Sequence, residues 1–175
     1  AKAVDQVTAA GVTYISAAGN YGTKSYEGTF SPSTPPLGIT GQAHNYGNSI
    51  YQKLTLVPGT YTIVLQWDDE MYSLGTNNGA QTDLDIYLAN NDGSTLFGFN
   101  RNNLLGDAVE VLPFTVNENT ETNILITKTA GGNGKFKYII VRGEAILEPI
   151  AGSGKGTIVG QANAAGAIAV GAVLY

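Results

Sequence analysis

Residues 60–67 read TYTIVLQW, and this segment indicates the class of fold more clearly than any other part of the chain. Every second position in it carries a large apolar side chain, in the order Tyr61, Ile63, Leu65 and Trp67. Most of the positions between them are polar. Because successive side chains of a β-strand point to opposite faces of the sheet, the pattern predicts a strand with one face in a hydrophobic core.

The flanking segments repeat this pattern of short strands separated by turns. Pro58 and Gly59 predict a tight turn, so residues 60–67 are expected to form a hairpin with a preceding strand whose Leu54 and Leu56 face inward. Further strands are predicted at residues 84–88, 95–99, 109–114, 124–128 and 136–141. A strand every roughly 8–12 residues is typical of a β-sandwich. We therefore predict a mainly β fold, a jelly-roll-like antiparallel β-sandwich of seven or eight strands, with residues 21–46 as an irregular lead-in.

The composition limits the classes of function. The chain has 175 residues, 43% of them hydrophobic, which suffices for one sizeable core. Its net charge is −5 and its 9 Lys and Arg residues are scattered, so a basic surface for nucleic acid is not expected. The absence of Cys excludes disulfides, thiolate catalysis and Cys-based zinc sites. No apolar run approaches the ~18 residues that span a bilayer, so no membrane partner is expected.

The two ends follow a different pattern from the middle. Residues 1–10 carry apolar side chains at helical spacing, and residues 12–16, VTYIS, form a β-branched and aromatic run. Residues 167–173, AIAVGAV, predict another buried strand near the other end of the chain. A helix followed by a buried strand indicates pieces of an α/β layer.

Both ends resemble consecutive segments of the catalytic core of subtilisin-like serine peptidases (subtilases). The opening AVDQVTAAGVTYISAAGN, residues 3–20, resembles the helix and core strand that lead to the oxyanion-hole asparagine of that family. The closing ANAAGAIAVGAV, residues 162–173, resembles the next core strand. The middle resembles β-sandwich insertions related to bacterial pre-peptidase C-terminal domains, through the motifs QWDD, TDLDIYL, GDAVEVL and GKFKYIIVRG.

The resemblance implies that the chain is an internal fragment of a secreted or cell-surface bacterial serine endopeptidase. Residues 1–21 and 156–175 would be pieces of the subtilase core, and residues 22–155 an inserted sandwich that shapes or recruits protein substrate. Asn20 would donate a hydrogen bond to the oxyanion in the parent enzyme. The chain has no counterpart of the family segments that carry the catalytic Asp, His and Ser, so the fragment is expected to be inactive alone.

The same resemblance predicts how the ends meet. Residues 12–16 and 167–173 should pair as parallel neighbours, with the helix of residues 1–10 on one face, and the sandwich should leave and re-enter through one neck. Because the other strands and helices of such a core are missing, an apolar face would stay exposed and drive self-association. That face would be formed by Val4, Val7, Ile15, Ile168 and Val170.

Four aspartates form a candidate metal site. Asp83 and Asp85 are two residues apart and so project from one face of a strand, while Asp68 and Asp69 end another strand. Clustered carboxylates repel one another unless a cation compensates, and hard oxygen ligands suit Ca²⁺. The four residues therefore predict a calcium site; the alternative is an ordinary polar face with Asp caps on loops.

A second function stays open on the sequence alone. The chain has 10 Tyr residues, and exposed aromatic side chains can bind sugars or peptides. The main alternative is therefore a carbohydrate- or protein-binding sandwich within a degenerate, non-catalytic subtilase. A structural spacer is a third option. The tyrosines outside clear core positions, which would have to share a surface, are Tyr21, Tyr26, Tyr46, Tyr51 and Tyr72.

His44 follows the oxyanion segment, the wrong chain order for a subtilase base, and is expected to be a surface or turn residue.

Overall fold

The computed structural model describes residues 2–172. Within them the helices are α1 (Lys2–Ala9) and two 3₁₀ helices, Tyr72–Leu74 and Gly160–Asn163. The strands, in chain order, are β1 (Tyr14–Ala17), β2 (Ser25–Thr29), β3 (Pro32–Ser33), β4 (Gln42–His44), β5 (Gln52–Leu56), β6 (Gly59–Trp67), β7 (Asp83–Ala89), β8 (Leu96–Phe99), β9 (Val109–Val116), β10 (Thr120–Ala130), β11 (Lys135–Arg142), β12 (Ala145–Leu147) and β13 (Ala167–Val170).

Strands β2 to β12 form two antiparallel sheets that pack face to face as a β-sandwich. One sheet has four strands in the order β2-β11-β6-β9. The other has seven and is built around the long β10, which pairs with β7 on one side and with β5 and β4 on the other. Strand β8 extends it beyond β7, β12 beyond β5, and β3 beyond β4. The predicted fold class, a mainly β antiparallel sandwich, is confirmed.

The hydrophobic core lies between the two sheets and holds the side chains that the alternation placed inward. The four alternating apolar side chains of residues 60–67 are all buried in it: Tyr61, Ile63, Leu65 and Trp67. Leu54, Leu56 and Ile86 join the same core from the opposite sheet. Because burying one such side chain contributes about 1.5–3 kcal/mol, β6 is a principal source of the sandwich's stability.

The predicted hairpin at Pro58 and Gly59 is wrong, because β5 and β6 belong to different sheets. The chain crosses between the sheets in the short segment that separates the two strands. The Tyr61 hydroxyl fixes this crossing: it accepts the Val57 N–H at 3.1 Å and lies 2.7 Å from the Val57 carbonyl oxygen. Alternation could not reveal the crossing, since strands that face each other across a core show the same pattern as strands paired in a hairpin.

The predicted irregular lead-in, residues 21–46, is also wrong, because this segment contains β2, β3 and β4. Strand β2 pairs with β11 at the edge of the smaller sheet, and β4 pairs with β10 in the larger one. These strands are only two to five residues long, so their alternation is too short to detect in the sequence. Together with β12 they bring the strands of residues 21–155 to eleven, β2 to β12, rather than seven or eight.

The outer face of the larger sheet is covered as well. Every residue of β7 is buried, including Asp83, Asp85 and Tyr87, which alternate with the core residues of that strand. A second apolar cluster packs on this face, with Ala43, Tyr87, Ala89 and Leu125 at its centre. The two aspartates are therefore withdrawn from water rather than displayed on a polar surface.

The two ends of the chain meet as predicted. Strands β1 and β13 form a separate two-stranded sheet and pair in parallel, from Tyr14 opposite Ala167 to Ala17 opposite Val170. Helix α1 contacts β13, and the Asp5 carboxylate accepts the Gly166 N–H at 3.1 Å. The predicted parallel pairing is confirmed, although residue 1 of the predicted helix and residue 173 of the predicted strand lie outside the described residues.

A neck formed by residues 22–27 and 152–156 joins this pair of strands to the sandwich. The two segments run side by side, and the Gly154 N–H donates to the Ser25 carbonyl oxygen at 2.9 Å. A second backbone hydrogen bond of 3.0 Å joins Glu27 to the returning segment. The predicted exit and return through one neck is confirmed.

The strand registers distinguish two ends of the sandwich. In the neck, the Lys24 ammonium pairs with the Glu144 carboxylate at 2.9 Å, just before β12. The first residue of β12 pairs with Leu56, and Leu56 pairs with the first residue of β10. We call this the neck end. Strand β10 runs from it to the far end, where its last residue pairs with Asp83, and β6 ends at Trp67 on the same side.

Candidate functional site

Asn20, the residue with a predicted catalytic role, lies just beyond the end of β1 and is exposed. Gly19 before it has a φ of 88°, a conformation that favours glycine and turns the chain out of the strand. Asn20 borders a groove of 550 Å³ that also contacts Ser16 of β1 and Val170 of β13. The groove places an accessible carboxamide at the carboxyl ends of two parallel strands.

The Asn20 carboxamide is suited to donate a hydrogen bond to a ligand in this groove. It carries two N–H donors, and in acyl transfer such a donor stabilises the charge that develops on a carbonyl oxygen. Asn20 supplies no nucleophile or base, and the single histidine of the chain, His44, lies in the sandwich. The arrangement is suited to bind a carbonyl or oxyanion.

His44 is buried in the core, so the expectation of a surface or turn histidine is wrong. The Ser31 N–H donates to Nδ1 at 3.0 Å, and the other ring nitrogen, Nε2, is 2.9 Å from the Tyr26 hydroxyl. Because Nδ1 accepts, the ring proton of the neutral imidazole is on Nε2. Burial lowers the pKa of His44 to about 4. These contacts give His44 a structural role in joining β4 to β2.

The five tyrosines that would have to share a surface for the binding alternative do not share one. Tyr26 is buried, and its ring contacts Tyr46 at a centroid distance of 5.1 Å. Tyr51 packs against the outer cluster, whereas Tyr72 is exposed. The short strands of the lead-in explain the difference, because β2 and β4 carry Tyr26 and its neighbours into the core.

The four aspartates of the predicted calcium site are divided by the structure. Asp69 caps a loop, since its carboxylate accepts the backbone N–H groups of Gln81 at 2.8 Å and Thr82 at 2.7 Å. Asp68 is exposed. Across residues 2–172, no three His, Cys, Asp or Glu side chains form a group that could hold a metal ion. For Asp69 the loop-cap alternative describes what the side chain does.

Asp83 and Asp85 remain together, and Glu110 of β9 joins them electrostatically. Asp83 is hydrogen-bonded, accepting the Asn103 N–H at 2.9 Å and the Thr129 hydroxyl. Asp85 and Glu110 are 0% and 3% exposed, and none of their four carboxylate oxygens has a hydrogen bond of good geometry. The Arg101 backbone and the Thr127 side chain approach the Asp85 carboxyl and lower its pKa in part. Unpaired buried carboxylates are costly, so these two side chains need a compensating ligand or a proton.

The pKa values of the two unpaired carboxyls reflect this environment. Burial, then the charge of Asp83, raises the pKa of Asp85 to about 7. Burial, then the charge of Asp85, raises the pKa of Glu110 to about 7, and Arg101 opposes the shift in part. Sequence reasoning missed Glu110. Its signal is weak but present, because Glu110 lies two residues before Leu112 and so shares the inward face of the strand.

An apolar groove of 460 Å³ opens between the sheets at the neck end of the sandwich. Phe97 of β8 is half-exposed there, and Phe114 of β9 stacks on the Tyr61 ring at 5.1 Å behind it. Leu88 and Val116 complete the apolar part of the wall. A groove of this kind can accept apolar side chains of a peptide or the face of a sugar ring.

The fold and these sites define an antiparallel β-sandwich that a neck connects to a parallel pair of strands ending at an exposed asparagine. No family model matched the chain, and comparison with curated proteins gave no match either. Among residues 2–172, no helix has the length and apolar character needed to cross a membrane.

Proposed function

We propose that the chain is an internal part of a secreted or cell-surface subtilisin-like serine endopeptidase, in which the sandwich shapes or recruits protein substrate. The observation that carries the proposal is the parallel pairing of β1 with β13, with Asn20 directly after β1. This is the arrangement that the resemblance of the two ends to subtilase segments led us to expect. The extracytoplasmic location rests on that resemblance alone.

The exposure of the paired strands supports a larger α/β core around them. Parallel sheets are normally covered on both faces, yet Ile15 is 64% exposed and Ile168 is 52% exposed. A two-stranded parallel sheet with such side chains in water lacks the burial that stabilises this arrangement. In the proposed enzyme, neighbouring strands and helices outside this chain cover these residues.

The position of Asn20 supports the catalytic part of the proposal. Its carboxamide borders the groove at the carboxyl ends of β1 and β13, where it can donate to a substrate carbonyl. The serine nucleophile, the histidine base and its aspartate are supplied by segments of the longer polypeptide. The chain described here contributes one oxyanion donor and two strands of the scaffold.

The position of the sandwich supports a role beside the substrate. The neck begins at residue 22, two residues after Asn20, so the sandwich emerges next to the proposed oxyanion site. Its apolar groove with Phe97 is lined by β8, β9 and the first residues of β10. We propose that this groove receives side chains of a protein substrate outside the cleavage site.

The test is activity-based labelling of the longer gene product. We expect the full-length protein to react with a fluorophosphonate and to cleave casein, while the 175-residue chain alone does neither. A full-length protein without an upstream Asp and His and a downstream Ser, or one that fails to react with the fluorophosphonate, would overturn the proposal of an active peptidase.

The second candidate function is a carbohydrate- or protein-binding module in a non-catalytic subtilase, and the half-exposed Phe97 and Phe99 on β8 favour it. Under this proposal the apolar groove binds its ligand without any cleavage. Binding of peptides or glycans that Phe97→Ala abolishes, in a full-length protein inert to fluorophosphonate, would establish it over the first.

A further inference from the structure

We propose that the sandwich binds an extended peptide segment with a basic residue near its amino end, and that this segment adds as a strand to the free edge of β9. Its apolar side chains would pack against Phe97 and Phe99 of β8. The proposal rests on the role proposed above for the apolar groove, and it specifies which kind of substrate segment binds there and how.

The two sheets end unevenly beside the groove. Strand β8 is the edge of the larger sheet and β9 the edge of the smaller one. Phe97 and Phe99 lie on the core face of β8, opposite the buried Leu88 and Ile86, yet they are 50% and 39% exposed. Among residues 2–172, no strand follows β9 in its sheet. One further strand beside β9 would cover both rings.

The outer edge of β9 offers backbone groups to such a strand. Bonded and non-bonded residue pairs alternate in an antiparallel ladder, and the Trp67 N–H donates to the Ala108 carbonyl oxygen at 3.3 Å, which sets the alternation between β6 and β9. The residues whose backbone groups point away from β6 are Val111, Pro113 and Thr115. An unpaired row of this kind is a template for an added strand.

Pro113 makes this edge selective. Proline has no N–H, and Pro113 occupies a position whose N–H would point away from β6. The middle of the edge therefore accepts hydrogen bonds without donating one, which weakens pairing through the backbone alone. A bound segment also needs side chains in the groove, where Leu88, Phe97 and Phe114 supply an apolar wall.

The charges at one end of the groove favour a basic residue. Residues that flank the β7–β8 and β9–β10 turns line the groove there, and these turns carry the exposed Asp92 and Glu118. Glu121 lines the groove too, and Lys53 pairs with it at 3.0 Å. Three carboxylates beside one ammonium attract a Lys or Arg of the partner. Because β9 ends here, a strand antiparallel to it begins here, which places the basic residue near the amino end of the segment.

The test is the binding of a synthetic peptide to the 175-residue chain, measured by fluorescence anisotropy. The peptide carries a fluorescent label, begins with Lys and then alternates Val and Thr. We expect saturable binding and slower amide hydrogen exchange at Val111 and Thr115 in the complex. The same peptide with N-methylated backbone amides, or with Glu in place of Lys, should bind about tenfold more weakly.

Thr115→Pro and Phe97→Ala test the edge and the groove separately. Thr115→Pro removes an N–H that points away from β6, so it should leave the melting curve similar and weaken peptide binding about tenfold. Phe97→Ala removes the ring on which the peptide packs and should weaken binding about tenfold or more. Thr115→Ala keeps the N–H, and Ile146→Ala removes an exposed apolar side chain on β12. Both controls should bind the peptide as the wild type does.

The proposal is overturned if the chain does not bind the peptide, if the N-methylated peptide binds equally well, or if exchange at Val111 and Thr115 is unchanged in the complex. It is also overturned if a second copy occupies the edge, which sedimentation would show as a dimer that Thr115→Pro dissociates. Peptide binding by a full-length protein inert to fluorophosphonate would refute the active peptidase alone. Fluorophosphonate labelling without peptide binding would refute the strand addition alone.

Discussion

His44 is held as a neutral imidazole by burial and by hydrogen bonds to Ser31 and Tyr26. Its pKa is about 4 in the folded chain against an ordinary value of 6.5. Since the unfolded chain binds the proton more readily, the stability that His44 contributes is present above pH 6.5 and is lost as the pH falls towards 4. We expect an NMR titration of its ring protons to show a midpoint near 4. A midpoint near 6.5 would contradict the buried placement.

The Tyr61 hydroxyl holds the segment in which the chain crosses from one sheet to the other, between β5 and β6. It bonds the backbone of Val57 and lies 2.6 Å from the carbonyl oxygen of Glu144. Tyr61→Phe should lower the free energy of unfolding by about 1–3 kcal/mol, since buried backbone groups lose their partner. Urea denaturation measures this, with Tyr72→Phe as the control because Tyr72 is exposed. Equal stability of the two variants would count against the crossing.

The candidate sites were only partly predictable, for reasons visible at single residues. Asp85 is readable because its strand alternates clearly, whereas the role predicted for Asn20 comes from the resemblance of residues 3–20 to a subtilase segment. Glu110 was missed because β9 belongs to the other sheet, and no sequence spacing relates residues that meet across a sandwich. Asp69 is ambiguous in the sequence because an acid after a strand serves equally well as a metal ligand or as a cap for loop N–H groups, and in the structure it accepts loop N–H groups.

At the scale of elements, the long strands of the sandwich were predictable and their partners within it were not. Strands β6 and β7 show alternation over most of their length, so their inward faces are readable in the sequence. The turn at Pro58 suggested a hairpin, but the same residues make a crossing between sheets. The partner of a strand depends on which sheet edge is free when the sheets assemble. That is a property of the whole sandwich and cannot be read from one segment.

Gly98 tests the pairing of β8 with β7. A Cβ at this position would lie 2.4 Å from the Ile86 carbonyl oxygen and 2.8 Å from Tyr87, so a side chain there must push the strands apart. Gly98→Ala should therefore destabilise the chain by about 1–3 kcal/mol in urea unfolding. Gly132→Ala is the control, since no atom lies within 4 Å of its Cβ position. If both variants unfold alike, this strand pairing is incorrect.

At the scale of the whole molecule, the exposed strands β1 and β13 should make the isolated chain self-associate. Their unpaired edges and apolar side chains offer a second copy the cover that a larger core would supply. We expect sedimentation velocity to show dimers or larger species that increase with concentration, and a double variant Ile15→Lys with Ile168→Lys to be monomeric. Ile146→Lys is the control, because Ile146 is 72% exposed but lies on β12 of the sandwich. A wild type that stays monomeric at high concentration would refute this expectation.

We propose that Asn20, just beyond the end of β1, is the oxyanion donor of a serine peptidase, and the kcat of an Asn20→Ala variant of the full-length protein tests this role. We expect kcat to fall by about 10²–10³, the loss measured for the oxyanion asparagine of subtilisin, while KM changes little, because the donor acts on charge present only in the transition state. Asn77→Ala, an exposed loop residue of the sandwich, should leave kcat unchanged. A kcat that Asn20→Ala leaves within about twofold of the wild type would contradict the claim.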